Sequence, residues 1–587
     1  MRRLFDEHLV RKCICLDGTW RFLTDPENRG EAEQWFRALP AGESVIVPSV
    51  WNTKMGYLTY EGAAWYEKKF YTDGGTLRFI FEAVITQADI WLDGVKLGEH
   101  YGGFCQFELI ATDVAPGMHV LTVRADNSFD EHSVPMAKVD WFHYGGIPRS
   151  VSVEELKGVC VLSNLFDYSL APDRKTATGH FTAELYNACK ETVTMPVSFV
   201  FDGKTVFVDE VTLSPYETRK CVTPDFSIDD VRLWSVEDPQ LYEIAVLTDT
   251  DDLFDRTGLR TIEVAGAKIL LNGKPFEIRG INRHEENTDF GFAFPPALMQ
   301  RDIDIIKGMY ANSVRGAHYP NSRIFMDMLD EQGLTFWCEI PVWGCGYKPE
   351  DCGDALVRER MKQMHKEMVH YYHNHPSIII WGMHNELPTY CEEVRTLTEY
   401  LYPYLKENGG NRLVSFASDK IDRDICFDLC DMICINRYDG WYYSDRYNWQ
   451  NHSLAMIRQR IEELGLPERP ILISEFGAAA IYGHHTFDDL KWTEEYQADM
   501  LKHALQTFHD DPQVAGGYIW QFCDIRTCSK MSNDRARHYN NKGILNEYRR
   551  PKQAYFAVKD LQGLLRGRTN RMIDSMARRI DYGYNQN

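Results

Sequence analysis

The feature that most constrains this chain is a series of short apolar segments that alternates with helical segments from about residue 264 onward. Each apolar segment has the length and the branched or aromatic residues of a buried strand. Helical patterns at 297–309, 355–373 and 493–509 separate several of them. Eight such units in about 320 residues predict a (β/α)8 TIM barrel. The predicted strands are, in order, 276–282, 311–319, 334–343, 378–386, 413–418, 432–438, 471–477 and 516–522.

The region before the barrel has a different pattern. Residues 1–157 contain short segments of alternating polarity, such as LRFIFEAV and HVLTVRAD, and turn residues separate them. This spacing is typical of a two-sheet sandwich. Residues 158–263, with MPVSFVFDG and YEIAVLTD, suit an immunoglobulin-like sandwich. We therefore predict three domains, at 1–157, 158–263 and 264–587, as the length of 587 residues allows.

The charge and the N-terminal sequence narrow the class of protein. The formal net charge of −22 repels polyanions, which argues against nucleic acid or an anionic membrane as a partner. The start of the chain has no apolar stretch long enough for a signal peptide, and no later segment reaches ~18 apolar residues. We expect a cytoplasmic protein. The 15 cysteines lack zinc-site spacing, so we expect reduced thiols, no metal site and no cofactor.

Two predicted strands end in carboxylates. The fourth ends in Asn385-Glu386, and the seventh carries Glu475. Chemistry in TIM barrels lies at the C-terminal ends of the strands, so both side chains should project from one face. Glycoside hydrolysis needs such a pair, with one carboxyl protonated and the other ionised. A single glutamate there favours a structural ion pair over catalysis, but two together at strand ends favour catalysis.

The same rim should carry further polar and aromatic groups. Asn540 and Lys542, after the eighth strand, can present an amide and an ammonium to one substrate carboxylate. Spacing alone favours a solvated lysine in a polar loop. The other side chains predicted at this rim are Arg283, His284, Arg315, His318, Asn436, Tyr438, Tyr442 and Trp520.

Six segments, GINRHEE, RGAHYP, HNE, INRYDGWY, ISEFG and IWQF, together resemble the consecutive barrel blocks of glycoside hydrolase family 2. The resemblance covers nearly the whole chain and, within the family, points to the bacterial β-glucuronidases. It implies a sugar-binding-like jelly roll, an immunoglobulin-like sandwich and a catalytic barrel. It also implies a retaining exo-β-glycosidase that cleaves small-molecule β-D-glucuronides by double displacement, in a homo-oligomer that is often a tetramer.

The resemblance assigns roles to individual residues. Glu386 matches the acid/base, Glu475 the nucleophile, and Asn385 the residue that bonds the sugar 2-hydroxyl. Asn540 and Lys542 match an Asn-x-Lys motif that binds the uronic acid carboxylate. The remaining matches are Asp140, which should reach the sugar C4 hydroxyl, and the pocket positions His284, Tyr438, Tyr442 and Trp520.

Some positions depart from the better-known glucuronidase pattern, namely Trp343, Asp439 and Gln521, and the loop 344–354 is short, as in gut bacterial forms. A β-galacturonidase, or an enzyme with both specificities, is therefore the main alternative. Lys542 argues against a β-galactosidase, because a neutral galactoside offers it no charge. The two glutamates argue against a non-catalytic sugar-binding protein. The basic stretch after about residue 563 receives no predicted role.

Overall fold

The computed structural model describes residues 2–531 and 534–567. The chain forms two β-sandwiches followed by a closed barrel, which confirms the predicted fold class. The domain boundaries near residues 157 and 263 stay a prediction. No helix of the described residues is long and apolar enough to span a membrane.

The first sandwich packs a six-stranded sheet against a four-stranded one. Trp20 and Phe22 from the larger sheet meet Leu77 and Phe79 from the smaller in one core. In spatial order the larger sheet consists of Glu43–Val47, Gly18–Asp25, Ala63–Thr72, Gly117–Asp126, Gln87–Leu92 and Val95–Tyr101, and the smaller of Lys12–Cys15, Val151–Leu156, Gly75–Phe81 and Phe107–Val114. Ser49–Val50 pairs with Gly146–Ile147.

The second sandwich has an aromatic core that includes Phe166, Phe181 and Phe199. One sheet consists of Val159–Leu170, Ala177–Asn187, Thr218–Val222 and Phe226–Ile228, and the other of Lys204–Leu213, Val193–Phe201, Tyr242–Thr248 and Asp252–Thr257. A small sheet of Ile262–Ala265, Lys268–Leu271 and Lys274–Pro275 then leads into the barrel.

Eight parallel strands close the barrel, and each overlaps one predicted strand. Their residues are buried almost throughout, which explains why they read as apolar runs rather than alternating patterns. The strands are Ile278–Asn282, Ser313–Arg315, Thr335–Glu339, Ile378–Asn385, Leu413–Ser418, Ile433–Asn436, Ile471–Phe476 and Val514–Ile519.

Helices connect most barrel strands, and the three predicted helices are present as Pro296–Gly308, Ala355–Tyr372 and Glu494–Asp510. Residues 419–432 form turns instead of a helix between the fifth and sixth strands. The other α-helices with described bounds are Arg323–Gln332, Pro349–Gly353, Glu392–Asn408 and Ser453–Glu463. Residues 553–567 are helical, and the rest of the basic C-terminal stretch lies outside the described residues.

The first sandwich reaches over the mouth of the barrel. Its Trp141 ring contacts His284, His318 and Trp343, with centroid distances of 5.8, 5.6 and 6.5 Å. Because Trp141 is almost fully buried, this segment forms part of the wall around the barrel end.

Candidate active site

One hydrogen-bond network joins the two predicted glutamates. Asn436 donates through Nδ2 to Glu386 Oε1 at 2.8 Å and to Asn385 Oδ1 at 2.9 Å. Arg315 donates to the same Asn385 oxygen and to Glu475 Oε1, both at 2.8 Å. Glu386, with a φ of 54°, has a left-handed backbone that is uncommon for a residue with a side chain.

The surroundings of Glu386 favour its protonated form. Part of the side chain is exposed, but burial is still the largest cause that raises its pKa well above the ordinary value. The nearby charges of Asp419 and Glu475 raise the pKa further, against the opposing effects of Asn436 and Lys420. A carboxyl group that keeps its proton near neutral pH can act as a general acid.

Glu475 is 3% exposed and both of its carboxylate oxygens accept hydrogen bonds. Arg315 bonds one oxygen, and the Tyr438 hydroxyl donates to the other at 2.6 Å. Burial, followed by the charge of Glu475, raises the pKa of Tyr438, so its hydroxyl keeps the proton that it donates. Glu475 is therefore fixed in orientation beside Glu386.

Glu339 is a member of this network that the sequence analysis missed. Arg315 donates to both of its oxygens, at 2.9 and 3.0 Å, and His318 Nδ1 lies 2.7 Å from one of them. Burial alone would raise the pKa of Glu339, but Arg315 and His318 hold it below the ordinary value. Glu339 ends the third barrel strand, so the rule that selected Glu386 and Glu475 could have found it.

A second polar cluster contains residues of the first sandwich and of the segment after the eighth barrel strand. Asn540 donates to Asp140 Oδ2 at 2.8 Å. Arg535 donates to both Asp140 oxygens, one of them at 3.0 Å, and to the Tyr442 hydroxyl at 3.4 Å. Lys542 Nζ donates to the same hydroxyl at 2.7 Å. Arg535 was not predicted, although it lies only a few residues before Asn540 and Lys542 in the sequence.

Lys542 is a buried ammonium, 3% exposed. It lies 4.8 Å from the ring centroid of Tyr442, 5.5 Å from that of Tyr438 and 6.0 Å from that of Trp441. No carboxylate of the described residues lies within ion-pair distance. Burial would raise the pKa of Tyr442, but Lys542 and Arg535 hold it below its ordinary value. The cation is thus stabilised by a hydroxyl and aromatic faces rather than by a counter-ion.

The buried side-chain atoms at this end that have no hydrogen-bond partner among the described residues include Asn385 Nδ2 and His284 Nε2. The other ring nitrogen of His284 lies 3.2 Å from the Tyr319 hydroxyl. Burial, then His318 and Arg315, lowers the pKa of His284 well below its ordinary value, so the ring is neutral. Buried polar atoms without partners are costly, and a bound polar molecule could satisfy them.

Trp520 completes the aromatic part of this region. Its ring stacks on His318, with centroids 5.1 Å apart, and meets His284 edge-on at 5.5 Å. Tyr438 and Tyr442, with ring centroids 5.3 Å apart, join the two polar clusters. All the predicted site residues therefore lie at one end of the barrel.

The three departures from the family pattern differ in what they contact. Trp343 packs on Trp141, and Gln521 Nε2 lies 3.4 Å from the Asn540 carbonyl. Asp439 is fully buried and pairs with His452 Nδ1 at 2.9 Å. Trp343 and Gln521 thus contact residues next to the pocket, whereas Asp439 bonds outward from it.

Two groups of described side chains have the spacing of metal ligands, and both lie at domain junctions rather than at the barrel mouth. They are His8 with Asp251 and Asp252, and Asp327 with Asp330 and His375. In the first, Arg11 pairs with Asp251. In the second, Arg3 pairs with Asp327 at 2.8 Å and His375 bonds Asp330 at 2.5 Å. Their oxygens already have structural partners.

Comparisons with known proteins agree with this geometry. The profile described as "Glycosyl hydrolases family 2, TIM barrel domain" matches residues 262–566, and the family's sugar binding domain matches residues 13–156. A β-galacturonidase from Eisenbergiella tayi, solved with galacturonate, is 34% identical, with a TM-score of 0.89 over 96% of this chain and 99% of that one.

Two β-glucuronidases are also similar. The enzyme of Streptococcus agalactiae is 28% identical over 93% of this chain and 95% of its own. That of Ruminococcus gnavus is 25% identical, with a TM-score of 0.83 over 96% of this chain and 99% of that one. The barrel profile alone covers more than half of the sequence, so the chain belongs to glycosyl hydrolase family 2 and is a glycoside hydrolase.

Proposed function

We propose that this enzyme is a retaining exo-β-glycosidase that removes terminal β-D-glucuronic acid from conjugates. Full-length relatives named β-glucuronidase, from bacteria and mammals, support the proposal at 26–28% identity. The observation that carries the proposal is that Lys542 is buried and has no carboxylate within ion-pair distance among the described residues.

A buried ammonium without a counter-ion is costly, because burial removes the hydration of the charge. The carboxylate of a uronic acid would supply the missing charge at Lys542. A neutral galactoside would not, so the site favours a uronide over a galactoside. Asn540, two residues away, offers an amide beside the same position.

The proposed reaction has two steps. In the first, Glu386 gives its proton to the aglycone oxygen while Glu475 attacks the anomeric carbon, the glycosidic bond breaks, and a glycosyl ester forms on Glu475. In the second, Glu386 takes a proton from water, which attacks the anomeric carbon and releases the sugar acid and the Glu475 carboxylate. Asn436 orients Glu386, and Arg315 and Tyr438 orient Glu475.

Asn385 has a distinct role in this proposal. Its side-chain oxygen is fixed by Arg315 and Asn436, while its Nδ2 is buried and has no partner among the described residues. That donor would bond the sugar 2-hydroxyl, an interaction that strengthens in the transition state. His284 Nε2 would serve as a further hydrogen-bonding atom for the sugar ring.

A second candidate function is hydrolysis of β-D-galacturonides. The observation that favours it is the 34% identity to a β-galacturonidase, which exceeds the identity to the β-glucuronidases. Galacturonic and glucuronic acid differ only in the orientation of the C4 hydroxyl. Asp140 and the unpredicted Arg535 are the charged pair that we assign to this hydroxyl.

The test is release of p-nitrophenol from the β-D-glucuronide, β-D-galacturonide and β-D-galactoside. We expect the glucuronide to be cleaved with the highest kcat/KM. A preference for the galacturonide would select the second candidate, and a preference for the galactoside would contradict the uronide proposal. Glu475→Gln should abolish turnover of every substrate while circular dichroism shows a folded protein.

Lys542→Ala tests the carboxylate site. Loss of a buried charge pair costs about 2–5 kcal/mol, so uronide kcat/KM should fall by at least about 30-fold while galactoside cleavage changes little. The exposed Lys502 provides the control, since Lys502→Ala should leave all three activities unchanged. Equal losses on uronide and galactoside would contradict the assignment of Lys542.

A further inference from the structure

We propose that a crevice between the first sandwich and the loop after the first barrel strand is a second ligand site, which takes a small organic cation with an apolar body. The crevice has a volume of about 410 Å³. Ligand pockets typically have volumes of roughly 300–1,000 Å³ and mostly apolar walls. Here Pro48 and Pro148 line the sandwich side, and Phe290, Phe292 and Phe294 line the barrel side.

The walls of this crevice are already formed without a ligand. Phe292 contacts Phe104, Tyr144 and Tyr319, with ring centroids 5.4, 5.0 and 5.1 Å away. Gly291 has a φ of 57°, and a Cβ there would lie 2.5 Å from a methyl of Val50. The loop is therefore packed tightly on the sandwich, so a ligand would not need to order it.

Among the described residues that line this crevice, one side chain has a buried oxygen without a hydrogen-bond partner. Glu82, the residue after the strand Gly75–Phe81, lines the crevice and is 5% exposed. Its Oε1 is buried and accepts no hydrogen bond from the described residues. Burial raises the pKa of Glu82 to about 7, against the opposing charges of Arg323, Arg2 and Arg149. A ligand that donates a hydrogen bond would remove the cost of this unpaired carboxyl.

The other charged groups that line the crevice indicate which charge a ligand should carry. Arg149 already donates to Glu285 Oε2 at 2.8 Å and to the Phe104 carbonyl at 2.6 Å, so its charge is compensated. An anion would meet Glu82, Glu285 and Asp17, which all line the crevice. A neutral apolar molecule would leave Glu82 unpaired. An ammonium attached to an aromatic or aliphatic body satisfies both the carboxylate and the phenylalanine faces.

The test uses three probes of matched size in isothermal titration calorimetry at pH 8, where most of Glu82 is ionised. These are 2-phenylethylamine, 2-phenylethanol and 3-phenylpropanoate. We expect the amine to bind at least about tenfold more tightly than the other two. Glu82→Gln keeps the size of the side chain but removes its charge, and it should weaken binding of the amine by at least about tenfold. Glu99→Gln, at an exposed position of the same sandwich, should not.

Glu475→Gln distinguishes this crevice from the catalytic pocket, whose carboxylates could also attract an amine. Binding that survives Glu475→Gln and weakens in Glu82→Gln supports the proposal. Binding that is lost in Glu475→Gln but kept in Glu82→Gln overturns it. Equal binding of the three probes, or no binding of the amine, would show a hydrated crevice and also overturn it.

Discussion

Burial is the largest cause of the raised pKa of Glu386, the proposed acid, and the neighbouring charges of Asp419 and Lys420 modify that pKa in opposite directions. Asp419 raises the pKa of Glu386 and Lys420 lowers it, and the two side chains pair with each other directly after the fifth strand. Because the proposed general acid must carry its proton, activity falls as pH rises through this pKa. The position of the basic limb in the pH profile should therefore change when the charge of Asp419 or Lys420 is removed.

We predict opposite shifts for the two neutral variants. Asp419→Asn removes a negative charge, which lowers the pKa of Glu386 and moves the basic limb of kcat/KM to lower pH. Lys420→Gln removes a positive charge and moves the limb to higher pH. The measurement is the pH profile of p-nitrophenyl glucuronide cleavage. Shifts in the same direction would contradict the assignment of Glu386 as the acid.

At the scale of elements, the connection after the third barrel strand holds the end of the fourth. Asn385 N donates to the Val342 carbonyl at 3.0 Å. Gly344 lies so close that a Cβ there would be 1.7 Å from the Glu386 carbonyl oxygen. This backbone contact leaves no room for a side chain without movement of Glu386.

Gly344→Ala should therefore displace Glu386 and lower kcat about 100-fold, since an error of about 1 Å in position can cost that much. Gly353→Ala is the matched control, because its Cβ would meet only the flexible side chain of Glu393, at 3.3 Å. Steady-state kinetics on the glucuronide, with circular dichroism for the fold, measures both. Full activity in Gly344→Ala would show that this contact does not position the acid.

The sequence predicts the barrel strands well because their burial on both faces leaves an apolar run. Its error at the third strand has a physical cause. The apolar run 334–343 extends beyond Glu339, where the strand ends, because residues such as Trp343 are buried by the first sandwich rather than by the barrel. Sequence patterns report burial, but not which domain provides it.

The site residues also include some that the sequence indicates and some that it does not. Glu386 and Glu475 follow from strand ends and from the family motifs. The ion pair of Asp140 with Arg535 joins positions 395 residues apart, and no local pattern indicates it. Glu339 could have been found, since it also ends a strand.

At the scale of the whole molecule, arginines near the N-terminus join the domains. Arg3 donates to Asp327 of the barrel and to Asp255 of the second sandwich, both at 2.8 Å. Arg11 donates to Asp251 of the second sandwich and to Glu154 of the first, the latter at 2.6 Å. A buried ion pair that loses one partner leaves an uncompensated charge, so these contacts make the domains depend on each other.

Acid should weaken this junction. Burial would raise the pKa of Asp255, but Arg3 and Arg323 hold it at about 2, below its value of 3.8 in the unfolded chain. The resulting stability, about 2 kcal/mol, is present above about pH 4 and is lost as pH falls towards 2. We expect Asp255→Asn to lower Tm at pH 7 and to reduce the fall of Tm between pH 5 and 3. Asp249→Asn, at an exposed position, is the control. An unchanged pH dependence in Asp255→Asn would contradict this role.

The hydrogen bond between Asn540 and Asp140 spans 400 residues of the chain. During translation at about 5–20 residues per second, the ribosome needs about 20–80 s to make the intervening segment. The second sandwich and all eight barrel strands are synthesised within that time, whereas the pocket that we propose for the sugar acid is complete only when the segment after the eighth strand has been synthesised. A truncated nascent chain would thus carry both proposed catalytic glutamates without Asn540 and Lys542, two of the residues that we assign to substrate choice.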